Sequence, residues 1–203
     1  GLYDLIGIDL MADVLKSFIK ELPETDEFHE VAKEIPLVKK LIETGYTGRK
    51  GKGGFYRMNK TGATKVMEAI NLESGDYSPS KKIDVKSDKV DLKTLINRKD
   101  KYGEYAWSVL SKIIKYASSL VPGITDKFND IDEAMRLGFN WAMGPFEMLK
   151  SIGVKNFFNR IDNFENNQFL ENLSKAKDEN FYGKRQQYTD IETLGKIKPK
   201  AIK

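Results

Sequence analysis

Three basic side chains lie in a glycine-rich stretch, residues 45–56, with the sequence Gly-Tyr-Thr-Gly-Arg-Lys-Gly-Lys-Gly-Gly-Phe-Tyr. Because glycine has no side chain, the backbone around Arg49, Lys50 and Lys52 is accessible to a ligand. A basic side chain held in this way can contact a phosphate or polarise a bound cofactor. The stretch is not a phosphate-binding P-loop, because no Ser or Thr follows Lys52 and no strand is predicted before it.

The other candidates for catalysis favour structural roles. The single histidine, His29, lies in a polar segment between predicted helices, and a metal site would need several ligands. Asp130, Asp132 and Glu133 are interpreted as helix-cap charges rather than an acid–base pair. The chain also lacks the strand, Gly-x-Gly-x-x-Gly and helix of a dinucleotide-binding domain. We therefore predict no catalytic residue and no metal ligand here.

The composition is typical of a water-soluble helical protein, and its net charge is too small to favour binding to a polyanion. The 203 residues are 40% hydrophobic, which suffices for one domain or two small ones. No apolar run is long enough to span a membrane, and the start of the chain lacks the basic region of a signal peptide. There is no cysteine, and the net charge is +4. We expect a cytoplasmic location and no nucleic-acid partner, because this charge is a small electrostatic footprint.

The elements that must position the basic stretch are mainly helices. Apolar residues recur at helical spacing over residues 9–21, 36–44 and 104–121, which predicts amphipathic helices. Residues 61–71 allow either a short helix or an extended arm. The polar composition of residues 73–91 indicates a surface linker, with at most a short strand over 83–85.

Residues 130–154 predict a helix, a tight loop and a second helix. Asp130 and Glu133 have the spacing of a capping box for the first helix. Pro145 suits the first position of the second helix, where its missing N–H costs nothing. Gly153 lies where a residue in the left-handed region usually ends a helix.

This motif, with Met143-Gly144-Pro145-Phe146 at its centre, resembles the signature of the 3-hydroxyacyl-CoA dehydrogenase C-terminal domain. The segment Gly138-Phe139-Asn140-Trp141 is similar to one branch, the long bifunctional proteins in which a dehydrogenase is followed by an enoyl-CoA hydratase. The resemblance implies an all-α fold of two helical repeats, each like the 6-phosphogluconate-dehydrogenase C-terminal domain, with the first repeat truncated.

Residues 1–9 resemble a second copy of the end of the motif. When Gly7 is aligned with Gly153, Ile6 falls opposite Ile152. The chain is therefore interpreted as a fragment cut inside the first of two repeats. The expected domains are a truncated first repeat over 1–72, a linker over 73–91, a second repeat over 92–182 and a polar tail or linker over 183–203.

The resemblance also implies a function, hydride transfer from C3 of a 3-hydroxyacyl-CoA to NAD in fatty-acid β-oxidation. In this family the catalytic His and Glu belong to a Rossmann domain that precedes the helical part. The position of Lys50 is the one from which the C-terminal domain approaches the NAD cofactor. The implied partners are the acyl-CoA substrate, that N-terminal Rossmann domain and, in the resembling branch, an enoyl-CoA hydratase domain. Alone, this chain is expected to be inactive.

Two other functions fit parts of the sequence. The chain could be a free-standing helical interaction domain without a catalytic role. It could also bind nucleic acid through Arg49, Lys50 and Lys52, although a charge of +4 over 203 residues makes this the weaker interpretation.

Overall fold

A computed structural model of the chain describes residues 1–61, 64–81 and 90–182. Two compact units can be distinguished, Gly1–Lys86 (unit 1) and Ser87–Lys203 (unit 2). The strand expected over 83–85 and the tail expected over 183–203 lie outside the described residues.

The described part of the chain is mostly helical with one small sheet, which confirms the predicted fold class. Unit 1 contains α1 (Leu2–Ile6), α2 (Ile8–Glu21), α3 (Phe28–Val31), α4 (Pro36–Glu43), β1 (Tyr56–Asn59), β2 (Val66–Ile70) and β3 (Tyr77–Pro79). Unit 2 contains α5 (Leu92–Ile96), α6 (Lys101–Ser119), α7 (Phe128–Phe139), α8 (Pro145–Ile152), α9 (Val154–Phe158) and α10 (Gln168–Ala176). Within the described residues, no helix is long and apolar enough to cross a lipid bilayer.

Unit 1 carries a small antiparallel sheet in the order β1-β2-β3, which the sequence did not predict as a sheet. Tyr56 pairs with Ala69, and Ile70 pairs with Tyr77. Of the two alternatives for residues 61–71, the extended one is therefore correct over the described part. The third strand lies inside the segment that the sequence indicated as a linker. Pairing between strands so short depends on contacts across the chain, which local patterns do not reveal.

Helix α8 lies at the centre of unit 2. Its residues Leu149 and Ile152 are fully buried together with Ile96 of α5 and Ile114 of α6. The long helix α6 is preceded by its N-cap residue Asp100, whose carboxylate accepts hydrogen bonds from the N–H groups of Tyr102 and Gly103. The core of unit 2 is thus a helical layer built around the second half of the sequence motif.

The capping box predicted at Asp130 is wrong. Helix α7 starts two residues earlier, at Phe128, and has no side-chain cap. The Asp130 carboxylate instead accepts the hydroxyl of Thr125 at 3.1 Å. Phe128 packs in an aromatic cluster with Phe146, and this packing favours the earlier helix start. At the end of α8, Gly153 has a positive φ of 91°, but its ψ of 129° lies outside the left-handed helical region.

Candidate functional site

The glycine-rich basic loop, residues 45–56, is fixed to α1 by one buried carboxylate. Asp4 is 4% exposed, and its oxygens accept the backbone N–H groups of Phe55 and Tyr56, each at 2.8 Å. The Asp4 carbonyl accepts the N–H of Arg49, also at 2.8 Å. Because removal of this carboxylate would leave two donors unpaired, Asp4 holds the loop in one conformation.

Glycine is required at two points where the loop passes α1. Gly48 has a φ of 108°, and a Cβ on it would meet the backbone of Asp4. A Cβ on Gly54 would collide with the Asp4 carboxylate and lie 2.9 Å from Cδ1 of Ile8. The glycines therefore permit a close approach of two backbones, and the loop is anchored rather than loose.

Lys50 lies near the tip of this loop, and its side chain turns back towards the start of α2. Its Nζ is 3.0 Å from Oδ1 of Asp9, while the Lys50 side chain remains 55% exposed. The hydrogen bond from Lys50 lowers the pKa of Asp9 below its ordinary value. Gly7 lies beneath the lysine, since a Cβ there would be 3.0 Å from Lys50 Nζ. The ammonium group carries three donors, and the exposure of its side chain leaves it accessible to a ligand.

The neighbouring basic residues, Lys52 and Arg49, make different contacts from Lys50. Lys52 Nζ donates to the carbonyl of Thr44 at 3.1 Å, just past the end of α4, where a cation complements the helix terminus. The Arg49 side chain has no partner among the described residues, and with Lys52 and Lys60 it lines a groove of about 550 Å³. Lys50 does not line this groove. The structure thus separates Lys50 from the two basic residues beside it in the sequence.

The small sheet supports the end of the loop through a polar network. Arg57 in β1 forms an ion pair with Glu68 in β2 at 2.7 Å. The Arg57 guanidinium also lies 3.9 Å from the centroid of the Tyr77 ring in β3. The Tyr77 hydroxyl donates to the carbonyl of Gly54 at 2.5 Å. Cross-strand contacts of these kinds stabilise short strands and here connect all three to the basic loop.

In unit 2, the sequence motif builds a buried network rather than an open site. Asp132 of α7 is fully buried, and its carboxylate accepts the N–H groups of Phe146 at 2.8 Å and Glu147 at 3.0 Å. Glu147 accepts from Arg136 at 2.6 Å and from the N–H of Gly144 at 2.9 Å. Asp132 is therefore a cap, as the sequence indicated, but it caps the following helix instead of its own.

Tyr182 completes this network. Its hydroxyl forms a hydrogen bond with Asp132, and burial is the main cause of the raised pKa of both groups. The ring of Tyr182 contacts that of Phe128, with centroids 5.6 Å apart. The hydrogen bonds of this cluster join α7 to α8 and Tyr182 to α7.

The two units share a helix–glycine–helix junction with a carboxylate beside it, and only in unit 1 do the described residues add a lysine. Gly7 joins α1 to α2 with φ 117° and ψ 125°, and Gly153 joins α8 to α9 with φ 91° and ψ 129°. Near Gly153, the Glu179 carboxylate accepts the first two N–H groups of α9, each at 2.9 Å. Near Gly7 lie both the Asp9 carboxylate, in the first turn of α2, and the ammonium group of Lys50 that pairs with it. The anion suits the helix N-terminus, and in unit 1 that anion is itself paired with a lysine.

His29 makes a local contact, with Nε2 2.9 Å from the carbonyl oxygen of Pro23. Over residues 1–61, 64–81 and 90–182, no group of three or more His, Asp or Glu side chains could hold a metal ion. In unit 1, the anchored loop presents Lys50 with a side chain that is 55% exposed.

These features belong to a helical domain that presents a lysine on a glycine-rich loop. The family described as "3-hydroxyacyl-CoA dehydrogenase, C-terminal domain" matches residues 1–58 and 105–186. The two segments cover more than half of the chain, and the chain belongs to this family. The resemblance inferred from the motif is thereby confirmed.

Curated relatives agree with this assignment. The chain is 39% identical over 161 residues to the "Putative fatty acid oxidation complex trifunctional enzyme" of Rickettsia prowazekii (strain Madrid E), and the match covers 79% of the chain and 22% of that relative. The protein of the same name in Rickettsia felis is 38% identical over 161 residues, with the same shares covered. The "Probable 3-hydroxyacyl-CoA dehydrogenase" of Bacillus subtilis (strain 168) is 30% identical over 166 residues, 78% of the chain and 20% of the relative. The chain thus spans about a fifth of the length of these relatives. No solved structure is significantly similar to it.

The sequence did not predict the roles of two acidic residues at this loop, Asp4, which anchors it, and Asp9, which pairs with Lys50. A weak signal existed for Asp4, which is the one charged residue in the otherwise apolar or glycine run from Leu2 to Ile8. For Asp9 there was none, because an acidic residue in the first turn of a helix is common without any ligand.

Proposed function

We propose that this chain is the C-terminal helical part of an NAD-dependent 3-hydroxyacyl-CoA dehydrogenase of fatty-acid β-oxidation, and that Lys50 contacts the cofactor from this part. The observation that carries the proposal is the placement of Lys50, which an anchored loop and Asp9 hold beside Gly7 with donors to spare. Family membership and the names of the relatives support the dehydrogenase assignment.

The residues of this chain fit a supporting role in that reaction. NAD, bound mainly by a separate dinucleotide-binding domain, would accept the hydride from C3 of the 3-hydroxyacyl-CoA. The Lys50 ammonium can donate to an anionic or carbonyl oxygen of the cofactor, and the glycine backbone around it leaves room for a close approach. A general base must lie within hydrogen-bond reach of the substrate hydroxyl, and the proposal assigns no residue of this chain to that role.

The proposal includes partners and a location. The acyl-CoA substrate and the N-terminal Rossmann domain would complete the site, and an enoyl-CoA hydratase domain would belong to the same protein. The cytoplasmic location expected from the sequence remains a prediction. The helical part would close the cleft over substrate and cofactor and contribute an interface between its two repeats.

The test is NADH formation from NAD and a short 3-hydroxyacyl-CoA. We expect none from the chain alone and turnover when a separately produced N-terminal dehydrogenase portion is added. NADH formation by the chain alone, or no NADH formation by the mixture, would contradict the proposal. In the active mixture, Lys50→Ala should raise the KM for NAD about tenfold, because a charge-assisted hydrogen bond contributes about 1.5–3 kcal/mol and exposure weakens it. Lys60→Ala is the matched control, and an equal KM for both variants would exclude Lys50.

The alternative, a helical interaction domain without a catalytic role, is favoured by one observation. The apolar residues of α1 are exposed, as on a surface that binds another protein. Failure of the purified chain to bind a dehydrogenase portion, together with an inactive mixture, would favour this alternative.

A further inference from the structure

The small sheet of unit 1 turns paired polar groups to one side and apolar side chains to the other. Arg57 and Glu68 form an ion pair on the first side. Tyr56 and Met58 flank Arg57 along β1, so their side chains lie on the opposite side, and Met67 of β2 pairs with Met58 across the sheet. Tyr56, Met58 and Met67 are 42, 42 and 47% exposed. One side of the sheet is therefore apolar and open.

This apolar side borders a groove of about 550 Å³, which we name the sheet groove. Its volume falls in the range of about 300–1,000 Å³ that is typical of small-molecule sites. Basic residues and glycines of the anchored loop complete its lining together with a lysine that follows β1. The lining includes Tyr56, Met58 and Met67 with Arg49, Gly51, Lys52, Gly53 and Lys60.

The sheet groove carries positive charge with little opposing negative charge. Within the described ranges, 1–61, 64–81 and 90–182, the Arg49 side chain has no partner. Lys52 donates to a neutral carbonyl and keeps its charge. Asp4, the acidic residue in the described lining, is 4% exposed, and its oxygens accept the N–H groups of Phe55 and Tyr56. The sheet groove therefore favours an anion.

An apolar surface beside an unpaired guanidinium suits a ligand with two different parts. A planar base can stack on the ring of Tyr56 and on the thioether groups beside it. The Arg49 guanidinium can bind a phosphate through two parallel hydrogen bonds, and the glycines let a phosphate come close to the backbone. A phosphate alone would leave the apolar surface uncovered, and a fatty chain would leave Arg49 unpaired. A nucleotide joins both parts.

We propose that the sheet groove binds a phosphorylated purine nucleotide, at a position distinct from Lys50. The two positions are separate because Lys50 does not line the groove. Adenosine diphosphate is the chemistry that two sources share, namely free ADP and the nucleotide end of coenzyme A. Binding of a nucleotide does not depend on the dehydrogenase reaction, and only coenzyme A as its source rests on the proposed function.

The test is calorimetric titration of the full chain with ADP. We expect a dissociation constant of about 0.1 mM, because one stacked ring and one phosphate contact hold the ligand in an open groove. NMR of the methionine methyl groups locates the site. The signals of Met58 and Met67 should shift when ADP is added, whereas that of Met148 in unit 2 should stay unchanged.

Two variants separate the parts of the site. Arg49→Ala should weaken binding of ADP and of inorganic pyrophosphate about tenfold, because both lose the charge-assisted hydrogen bonds. Tyr56→Val, which keeps a strand-forming residue, should weaken ADP about fivefold and leave pyrophosphate unchanged, because only the stacked ring is lost. Lys40→Ala is the matched control, since Lys40 is an exposed basic residue of unit 1 outside the groove, and it should bind both ligands as the unaltered chain does.

A titration with coenzyme A identifies the source of the nucleotide. Coenzyme A carries a 3′-phosphate in addition to the diphosphate, so it offers more negative charge to the basic residues of the groove. Binding about tenfold tighter than that of ADP, with the same methionine shifts, would assign the groove to the nucleotide end of the substrate. Equal affinities would assign it to the free nucleotide. Both results support the proposal.

Four outcomes would overturn the proposal. Absence of ADP binding at millimolar concentration would refute it outright. Pyrophosphate bound as tightly as ADP would make the groove a simple anion site, and NAD bound more tightly than ADP would make it part of the cofactor contact at Lys50. Single-stranded DNA bound more tightly than ADP would assign the groove to nucleic acid. None of these measurements needs dehydrogenase activity, so an inactive mixture would refute the proposed function and leave the nucleotide result unaffected.

Discussion

Replacement of Asp132 by alanine is expected to destabilise unit 2 much more than a surface substitution in the same helix. The carboxylate is fully buried and accepts the N–H groups of Phe146 and Glu147. The hydroxyl of Tyr182 is a third donor. Without the carboxylate, these donors lie in a packed interior with no other acceptor of the same geometry.

The size of the effect follows from the number of donors left unpaired. Each buried donor that loses its acceptor costs about 1–3 kcal/mol, so the two amides together give about 3 kcal/mol. The Tyr182 hydroxyl can rotate, and we leave it out of the sum. Asp132→Asn preserves the volume and one acceptor oxygen, and it is expected to cost about half as much.

The assay is urea unfolding followed by tryptophan fluorescence. Trp107 and Trp141 are the two tryptophans of the chain, and both lie in unit 2, so the signal reports this unit alone. With a slope of about 1.5 kcal/mol per molar urea, a loss of 3 kcal/mol lowers the midpoint by about 2 M. The slope itself should not change, because the surface exposed on unfolding stays the same.

Asp130→Ala is the matched control. Asp130 lies in the same helix but is exposed, and its loss is expected to cost about 0.5 kcal/mol or less. If Asp132→Ala moves the urea midpoint no further than Asp130→Ala does, the argument that the buried carboxylate holds α7 to α8 is wrong.

Three further predictions concern the loop and the glycines. Lys50→Ala should raise the pKa of Asp9 towards its ordinary value of 3.8. Because pairing lowers the pKa of Asp9 in the folded state, the pair stabilises unit 1 above pH 3.8, and this stabilisation is lost as the pH falls through the lowered pKa. An NMR titration of the Asp9 carboxyl carbon measures the pKa in both proteins. Gly54→Ala should destabilise unit 1 by about 2 kcal/mol, since the added methyl meets Asp4 and Ile8, and amide exchange at Tyr56 reports it. Gly138→Ala should stabilise unit 2 by about 0.5–1 kcal/mol, because a Cβ there meets nothing within 4 Å, and a thermal melt checks it.

Each of these predictions has its own control. Lys60→Ala should leave the pKa of Asp9 unchanged, and an equal rise in both variants would rule out a specific pair. Gly1→Ala, where a Cβ has open space, should leave the amide exchange rate of Tyr56 unchanged. If Gly54→Ala also leaves this rate unchanged, the loop tolerates a methyl group where it passes α1. A lower melting temperature for Gly138→Ala would mean that this helical glycine has a role in packing.

The sequence by itself determined the helical class, the family and the approximate extent of the main helices. Helix α2 was predicted within one residue, because apolar spacing along a helix is a local property. The placement of Pro145 as the first residue of α8 was likewise correct. The motif from Asp130 to Gly153 indicated the family through its resemblance to the family's signature, and the family match confirms it.

Only the tertiary structure decided which groups meet. Asp4 binds N–H groups that lie 51 and 52 residues further along the chain, and Asp132 binds groups 14 and 15 residues away. The small sheet and the pairing of Lys50 with Asp9 are contacts of the same kind. Hydrogen bonds and ion pairs depend on the distance between atoms in space, whereas propensity and periodicity describe neighbours along the chain. The sequence could therefore indicate Lys50, but only the fold shows what holds it in place.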